Sequence, residues 1–145
     1  HLCGYAGMLE LAQANIDLPI IAHPAFSGAL VTNPEHGFTP AFFYGELYRA
    51  FGADFAIYPN TGGRFSFSPQ QCMALNEAAR TDYSPFKPAF PMPGGGMKRE
   101  TIPHWMKQYG PDTVFLLGAS MLEHSEGLRA AAEEVQEVLK GGRFG

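Results

Sequence analysis

The chain has 145 residues, of which 46% are hydrophobic and 17% charged, and its formal net charge at pH 7 is −4. This length and hydrophobic content are typical of one globular domain with a buried core. The negative charge argues against nucleic-acid binding, because neutralising phosphates needs clustered Lys and Arg. The longest apolar runs, LPIIA and VFLL, are too short to span a membrane, so no membrane partner is predicted.

The two cysteines bear on the cellular compartment of the protein, and the first residues bear on whether the chain is part of a longer one. Cys3 and Cys72 match no metal-ligand spacing and do not indicate an oxidising compartment, so we predict a cytoplasmic protein. The chain begins with His1, and a helical pattern starts almost immediately after it. We therefore expect these 145 residues to be a fragment of a longer chain.

Hydrophobic periodicity predicts a helix over about residues 4–15, followed by four repeats of a strand and a helix. The predicted strands are LPIIAHP, ADFAIYP, AFPMP and TVFLLG. The helices that follow them are predicted at about 39–52, 68–80, 101–110 and 125–141. Ser68 and Gln71 form a capping-box pattern at the start of the helix at 68–80.

Short apolar strands that alternate with helices predict an α/β fold with a parallel sheet, because a parallel neighbour needs a helix-sized crossover. Two architectures fit this pattern: a doubly wound open sheet, or half of a (β/α)8 barrel. Both place binding groups at the C-terminal ends of the strands.

Two successive strand ends are rich in glycine, in the sequences PMPGGGM and LLGAS. Backbone N–H groups of Gly95, Gly96, Gly118 and Ala119 are predicted to bind a phosphate there, because a larger side chain would hold the anion away from them. The alternative interpretation is that these glycines only form turns.

Two side chains at other strand ends are candidate catalytic residues. His23 ends the first strand, where an imidazole can hydrogen-bond a substrate or transfer a proton near neutral pH. Arg64 follows two glycines and can clamp a carboxylate or phosphate with its guanidinium. For each, the alternative is a structural histidine or a solvated arginine. The sequence shows no carboxylate pair, GxSxG motif or metal cluster, so a complete catalytic set is not predicted within this chain.

The order of motifs from PMPGGGM to LEHSEG resembles the C-terminal part of the RuBisCO large-subunit superfamily, and the resemblance extends over essentially all 145 residues. The family has a Gly-Gly pair after strand seven, a helix containing Pro, and a Gly-rich end to strand eight followed by His and Gly. The matching positions are Gly95, Gly96, Gly110, Asp112, Val114, Gly118, Leu122, His124 and Gly127. The resemblance implies that residues 1–145 are a partial (β/α)8 TIM-barrel catalytic domain, comprising strands five to eight.

Transferred position by position, the family's site assigns one substrate phosphate to Gly95, Gly96, Gly118 and Ala119, and a substrate-facing histidine to His23. Arg64 falls near the family's mobile-loop lysine when one gap is allowed.

Three departures separate this chain from true carboxylases. It has Pro24 where they have a phosphate-binding Arg, Tyr58 where they have a His, and Gly94 where they have a Ser. Tyr58 and Gly94 are therefore the predicted substrate-binding positions, and the second phosphate site is predicted to be lost. This pattern resembles the non-carboxylating RuBisCO-like proteins.

The resemblance implies magnesium-dependent enolate chemistry, that is enolisation, isomerisation or decarboxylation, on a singly phosphorylated keto sugar or sugar acid. The family's Mg²⁺ ligands belong to strand two, so no metal ligand is predicted in these residues and the isolated fragment is predicted to be inactive. A homodimer is also expected, because the family's active site takes residues from a second subunit. The alternatives are a non-catalytic phosphate-binding half-barrel assembly module and an open-sheet nucleotide binder.

Overall fold

The computed structural model describes residues 3–14, 16–33, 35–65 and 67–141. The strands are β1 (Ile21–Ala22), β2 (Phe55–Pro59) and β3 (Phe90–Gly94). The α-helices are α1 (Gly4–Gln13), α2 (Gly28–Val31), α3 (Tyr48–Ala50), α4 (Pro69–Arg80), α5 (Ile102–Tyr109), α6 (Ala119–Leu122) and α7 (Leu128–Gly141). A π-helical segment, Ala41–Leu47, runs directly into α3, and a 3₁₀ turn, Arg99–Thr101, precedes α5.

The three strands form a parallel sheet in the order β1-β2-β3. Ile21 of β1 lies opposite Phe55 of β2, which in turn lies opposite Phe90 of β3. Helical segments connect the strands, as parallel neighbours require. The predicted α/β class is therefore confirmed.

The prediction of a fourth regular strand, at residues 113–118, is wrong. The structure has an isolated parallel bridge there, between Gly94 and Leu116. Val114 N–H donates to the Pro91 carbonyl (3.0 Å) and Leu116 N–H to the Pro93 carbonyl (3.1 Å). Because proline has no N–H, β3 cannot return these bonds, and only half of a ladder forms. The segment still runs beside β3, in the fourth position of the sheet.

Three helices differ from their predicted form. The helix predicted at 4–15 ends at Gln13, and position 15 lies outside the described residues. The helix predicted at 39–52 is largely π-helical, and its Gly45 packs so closely on α4 that a Cβ there would lie 2.8 Å from the Ala78 Cβ. The last helix begins at Leu128 rather than near residue 125.

The capping box of α4 is confirmed. Ser68 Oγ accepts a hydrogen bond from Gln71 N–H (3.1 Å), and Gln71 Oε1 accepts one from Ser68 N–H (2.8 Å). Each atom satisfies a donor that the helix itself leaves free, so α4 begins at the position that the local sequence encodes.

The core lies between one face of the sheet and the helices. Along β2, Ala56 and Tyr58 are buried toward the helices, and they alternate with partly exposed residues. The opposite face of the sheet is open, with Ile21 53% exposed and Phe90 45% exposed. Within the described ranges, every helix is too short or too polar to cross a membrane.

Candidate functional site

A cavity of about 460 Å³ opens at the C-terminal ends of the strands. His23 lines it after β1, Arg64 after β2, and Gly94 and Gly95 at the end of β3. The remaining walls are largely apolar and include Pro24, Phe26, Ile57, Phe65, Phe67 and Leu116. With Tyr58 of β2, the fold thus gathers five predicted site residues, separated by up to about 70 positions in sequence, around one cavity, because parallel strands end on the same side of the sheet.

A larger cavity, of about 760 Å³, lies on the opposite side of the sheet, at the N-terminal ends of the strands. Asp54, Phe55 and Phe90, at the N-terminal ends of β2 and β3, line it. Size alone favours this second cavity, but ligands of parallel α/β sheets bind at the C-terminal ends of the strands. We therefore assign the candidate site to the smaller cavity.

His23 is exposed at the end of β1. Its carbonyl accepts a hydrogen bond from the buried Tyr48 hydroxyl (3.4 Å), which anchors the main chain just where the strand ends. The anchored backbone and the exposed imidazole together suit a residue that meets a ligand in the cavity.

Arg64 is exposed, and its guanidinium carbon lies 5.1 Å from the ring centroid of Phe65. This stacking orients the side chain. No carboxylate of the described residues pairs with Arg64, so its five N–H donors are available to an anion.

The loops after β2 and β3 touch through their backbones. Gly96 has φ +70°, and a Cβ on it would lie 2.8 Å from Gly63 N. Asn60 N–H donates to the Gly94 carbonyl at 2.8 Å. Gly94 itself packs on Leu116, since a Cβ there would lie 2.9 Å from Leu116 Cδ2. Glycine is required at 96, because the backbone of the neighbouring loop occupies the space of a side chain; at 94 the nearest atom belongs to the end of the Leu116 side chain.

Three of the four predicted phosphate-binding amides are free donors. In the part of the chain that the structure describes, the N–H groups of Gly96, Gly118 and Ala119 donate to no protein acceptor, whereas Gly95 N–H lies in the parallel Gly94–Leu116 bridge and faces the Leu116 carbonyl; all four residues are exposed. The Gly94–Leu116 bridge brings the two loops that carry them to the same edge of the sheet. Of the four, only Gly95 lines the 460 Å³ cavity; the other three belong to the adjoining loops.

Tyr58 lines the cavity, but its side chain is packed inside the protein. It is 0% exposed, and its hydroxyl accepts a hydrogen bond from Asn76 Nδ2 of α4 (2.6 Å). Burial raises the pKa of Tyr58 above its ordinary value. Alternation along β2 turns this side chain toward the helices, so the structure gives no support to a direct contact between it and a substrate.

Sequence reasoning overlooked Asn60, the residue that follows β2. It is 0% exposed, and its side chain contacts Met97 and Tyr109 from two later segments. An asparagine two positions before Gly-Gly has the pattern of an ordinary turn residue. The only available signal was its place between a strand end and the candidate Arg64.

A metal site needs several ligating side chains grouped around one point. Within the described residues, no three His, Cys, Asp or Glu side chains are grouped so that they could hold a metal ion. One cluster of charged side chains is an ion-pair group in which Glu134 Oε2 lies 2.9 Å from Arg99 Nε and 3.6 Å from His124 Nε2. It ties the segment after β3 to the segment that follows α6.

No protein-family model matches the chain. Among curated proteins, it is 36% identical over 143 residues to ribulose bisphosphate carboxylase-like protein 1 of Rhodopseudomonas palustris, covering 98% of this chain and 37% of that protein. It is 34% identical over 146 residues to a 2,3-diketo-5-methylthiopentyl-1-phosphate enolase of Geobacillus kaustophilus, covering 94% of this chain and 35% of that protein. It is 39% identical over 108 residues to a 5-methylthioribulose-1-phosphate isomerase of Rhodospirillum rubrum, covering 74% of this chain and 27% of that protein.

Solved structures agree with these relatives. A RuBisCO-like protein from Alicyclobacillus acidocaldarius matches with a TM-score of 0.85 and 30% identity, over 98% of this chain and 37% of that one. A RuBisCO-like protein from Rhodopseudomonas palustris matches with a TM-score of 0.80 and 28% identity, over 98% and 36%. The chain spans little more than a third of the length of these proteins. It is therefore homologous to the RuBisCO-like proteins of the RuBisCO large-subunit superfamily, as the resemblance in its order of motifs indicated.

Proposed function

We propose that this chain forms strands five to eight of the (β/α)8 barrel of a RuBisCO-like enzyme. Three observations support the proposal. The strands are parallel and consecutive, and the segment at Leu116 continues their order. The helices cover one face of the sheet and leave Ile21 and Phe90 exposed on the other, which suits strands whose inner face meets the rest of a barrel. The chain also spans about a third of its relatives' length.

The free amides at two neighbouring strand ends carry the functional proposal. Gly95, Gly96, Gly118 and Ala119 bind one phosphate group of the substrate through their backbone N–H groups. Several N–H donors that lack protein acceptors suit a phosphate dianion, and glycine lets it approach the main chain closely. (β/α)8 enzymes often bind phosphate after strands seven and eight.

The remainder of the substrate lies in the 460 Å³ cavity. Arg64 clamps an anionic group, and His23 orients or protonates the reacting carbon or oxygen. Enolisation, isomerisation and decarboxylation all leave an electron pair on a carbon next to a carbonyl. Cationic and proton-donating groups at the cavity stabilise the enolate that results.

The substrate class is a singly phosphorylated keto sugar or sugar acid. Pro24 lines the cavity and has neither a charge nor an N–H donor with which to hold a second phosphate. The largely apolar walls fit the methylthio end of the compounds for which two relatives are named. Arg64 also fits a carboxylate, the group that a decarboxylase removes.

Magnesium and a second subunit complete the proposal. No three His, Cys, Asp or Glu side chains of the described residues are grouped so that they could hold a metal, and we propose that other parts of the full-length protein supply the ligands of the Mg²⁺ ion. Bound, it would polarise the substrate carbonyl. We also propose a homodimer in the cytoplasm.

The test uses Gly118→Asp in the intact enzyme. A carboxylate at this position would occupy the place of the anion, and we expect inorganic phosphate to bind about tenfold more weakly, measured by titration calorimetry. Gly141→Asp, which adds the same charge at an open position on α7, is the matched control and should bind normally. Wild-type affinity in Gly118→Asp would reject the phosphate site.

Turnover assays separate an enzyme from a binding module. The wild-type enzyme with Mg²⁺ should convert 2,3-diketo-5-methylthiopentyl 1-phosphate, 5-methylthioribulose 1-phosphate or a phosphorylated oxo acid. Phosphate binding without turnover of any of the three would favour the non-catalytic assembly module.

A further inference from the structure

Asn60 uses all of its polar groups although it lies in a loop. Its N–H donates to the Gly94 carbonyl (2.8 Å), and its own carbonyl accepts from Gly63 N–H (3.4 Å). Its side-chain Oδ1 accepts from the Tyr109 hydroxyl (2.6 Å), and Nδ2 donates to Met97 Sδ (2.8 Å). Such complete satisfaction at 0% exposure is expected of a residue that holds a fixed arrangement.

Three of these four contacts join segments that are distant in sequence. Asn60 begins the loop that presents Arg64, whereas Gly94 and Met97 begin and end the glycine loop after β3. Tyr109 lies at the end of α5, where its ring stacks on Trp105 with centroids 5.2 Å apart and its carbonyl accepts a hydrogen bond from Arg80. Asn60 therefore ties both site loops to a side chain that two helices hold.

The backbones of the two loops are packed too closely to move independently. A Cβ at Gly63 would lie 3.0 Å from the carbonyl carbon and oxygen of Gly95. A Cβ at Gly96 would lie 2.8 Å from Gly63 N. Any shift of residues 60–64 therefore displaces the amides of Gly95 and Gly96, and the converse is also true.

We propose that Asn60 is a positioning residue, which sets the geometry between the Arg64 loop and the phosphate-binding amides of Gly95 and Gly96. The proposal rests on the proposed function of those amides. Asn60 touches no ligand; it acts by fixing the two loops that do. Asparagine suits this role because its amide accepts from Tyr109 and donates to Met97 at the same time, which neither Asp nor Leu can do.

The test compares Asn60→Ala with Asn76→Ala in the intact enzyme. Asn76 is also 0% exposed, but its amide bonds the Tyr58 hydroxyl and the Cys72 carbonyl and neither site loop; this amide is linked to Tyr109 through Tyr58. Both variants should lose thermal stability, because each leaves buried partners unpaired. Only Asn60→Ala should bind inorganic phosphate about tenfold more weakly in calorimetry, while Asn76→Ala stays within about twofold.

A second variant removes the hydrogen bond between Asn60 and Tyr109 by changing Tyr109 instead. Tyr109→Phe keeps the ring and removes only the hydroxyl that Asn60 accepts from. We expect a smaller loss of phosphate affinity, and the double variant should lose less than the sum of the two single losses. If Asn60→Ala does not fold, Tyr109→Phe carries the test.

Hydrogen exchange gives a readout that needs no ligand. Peptides covering residues 60–64 and 94–97 should exchange faster in Asn60→Ala and Tyr109→Phe than in Asn76→Ala. Unchanged exchange and unchanged phosphate affinity in the first two variants would overturn the positioning role alone. Absence of phosphate binding in the wild-type enzyme would instead overturn the proposed function, and the positioning role with it.

Discussion

Gly95 and Gly96 share a left-handed backbone conformation but differ in their surroundings. Their φ angles are +77° and +70°. A Cβ at Gly95 would meet nothing within 4 Å, whereas one at Gly96 would lie 2.8 Å from Gly63 N. The first glycine is therefore needed for its backbone conformation, and the second also for the close approach of two loops.

Alanine substitutions should separate these two requirements. We expect Gly95→Ala to lower the free energy of unfolding by about 1–2 kcal/mol, the cost of a left-handed alanine. Gly96→Ala should cost roughly 1–3 kcal/mol more, because the methyl group forces the loops apart. Urea denaturation of both variants measures the difference, and equal losses would show that the loops separate freely.

The layer between β2 and the helices is rich in buried tyrosine. Burial raises the pKa of Tyr44, Tyr48, Tyr58 and Tyr109 above the ordinary value of 10.0. All four hydroxyls are hydrogen-bonded: Tyr44 to Ser27 (2.7 Å), Tyr48 to the His23 carbonyl (3.4 Å), Tyr58 to Asn76 (2.6 Å) and Tyr109 to Asn60 (2.6 Å). In the folded protein these groups therefore keep their protons at a pH where the unfolded chain has lost them.

Stability should consequently fall at alkaline pH. Below about pH 10 the tyrosines are protonated in both states and their contribution is complete. Above it the unfolded state ionises first, and the free energy of unfolding should decrease by up to about 1.4 kcal/mol per pH unit for each buried tyrosine. Urea denaturation between about pH 8 and pH 11 measures the slope.

Two variants check the origin of this slope. Tyr58→Phe removes one buried hydroxyl and should make the slope shallower. Tyr83 is 60% exposed, and Tyr83→Phe should leave the slope as it is. A stability that stays level up to pH 11 would contradict the assignment of these tyrosines to the core.

The open face and edges of the sheet dominate the behaviour of the chain as a whole. Ile21, Phe90 and Leu116 are 53%, 45% and 38% exposed. β1 and the segment at Leu116 also leave unpaired backbone groups at the two edges. Without a covering partner, such a surface favours association between copies.

The 145-residue chain on its own should therefore oligomerise or aggregate, as seen by light scattering. Phe90→Lys should reduce association, because it places a charge on the open face. Leu139→Lys is the matched control, since Leu139 is 42% exposed but lies on α7. A monomer that melts cooperatively in calorimetry would contradict the proposal that this sheet is half of a barrel.

The sequence by itself determined the α/β class, the capping box of α4 and the superfamily. The first two depend on local signals, hydrophobic periodicity and Ser68 with Gln71, whereas the superfamily was indicated by a resemblance in the order of motifs along the chain. It also placed the candidate residues His23, Tyr58, Arg64, Gly94 and Gly95 at or near strand ends, and they line one cavity because parallel strands end on the same side of the sheet.

Only the tertiary structure decided the remaining features, because each depends on contacts between distant segments. Residues 113–118 read as a strand, yet the prolines of β3 cannot donate to them. Tyr58 ends a strand at the site edge, but the pleat turns its hydroxyl toward Asn76. Asn60 has the pattern of a turn residue, and its role follows from bonds to Met97 and Tyr109, which lie 37 and 49 positions away.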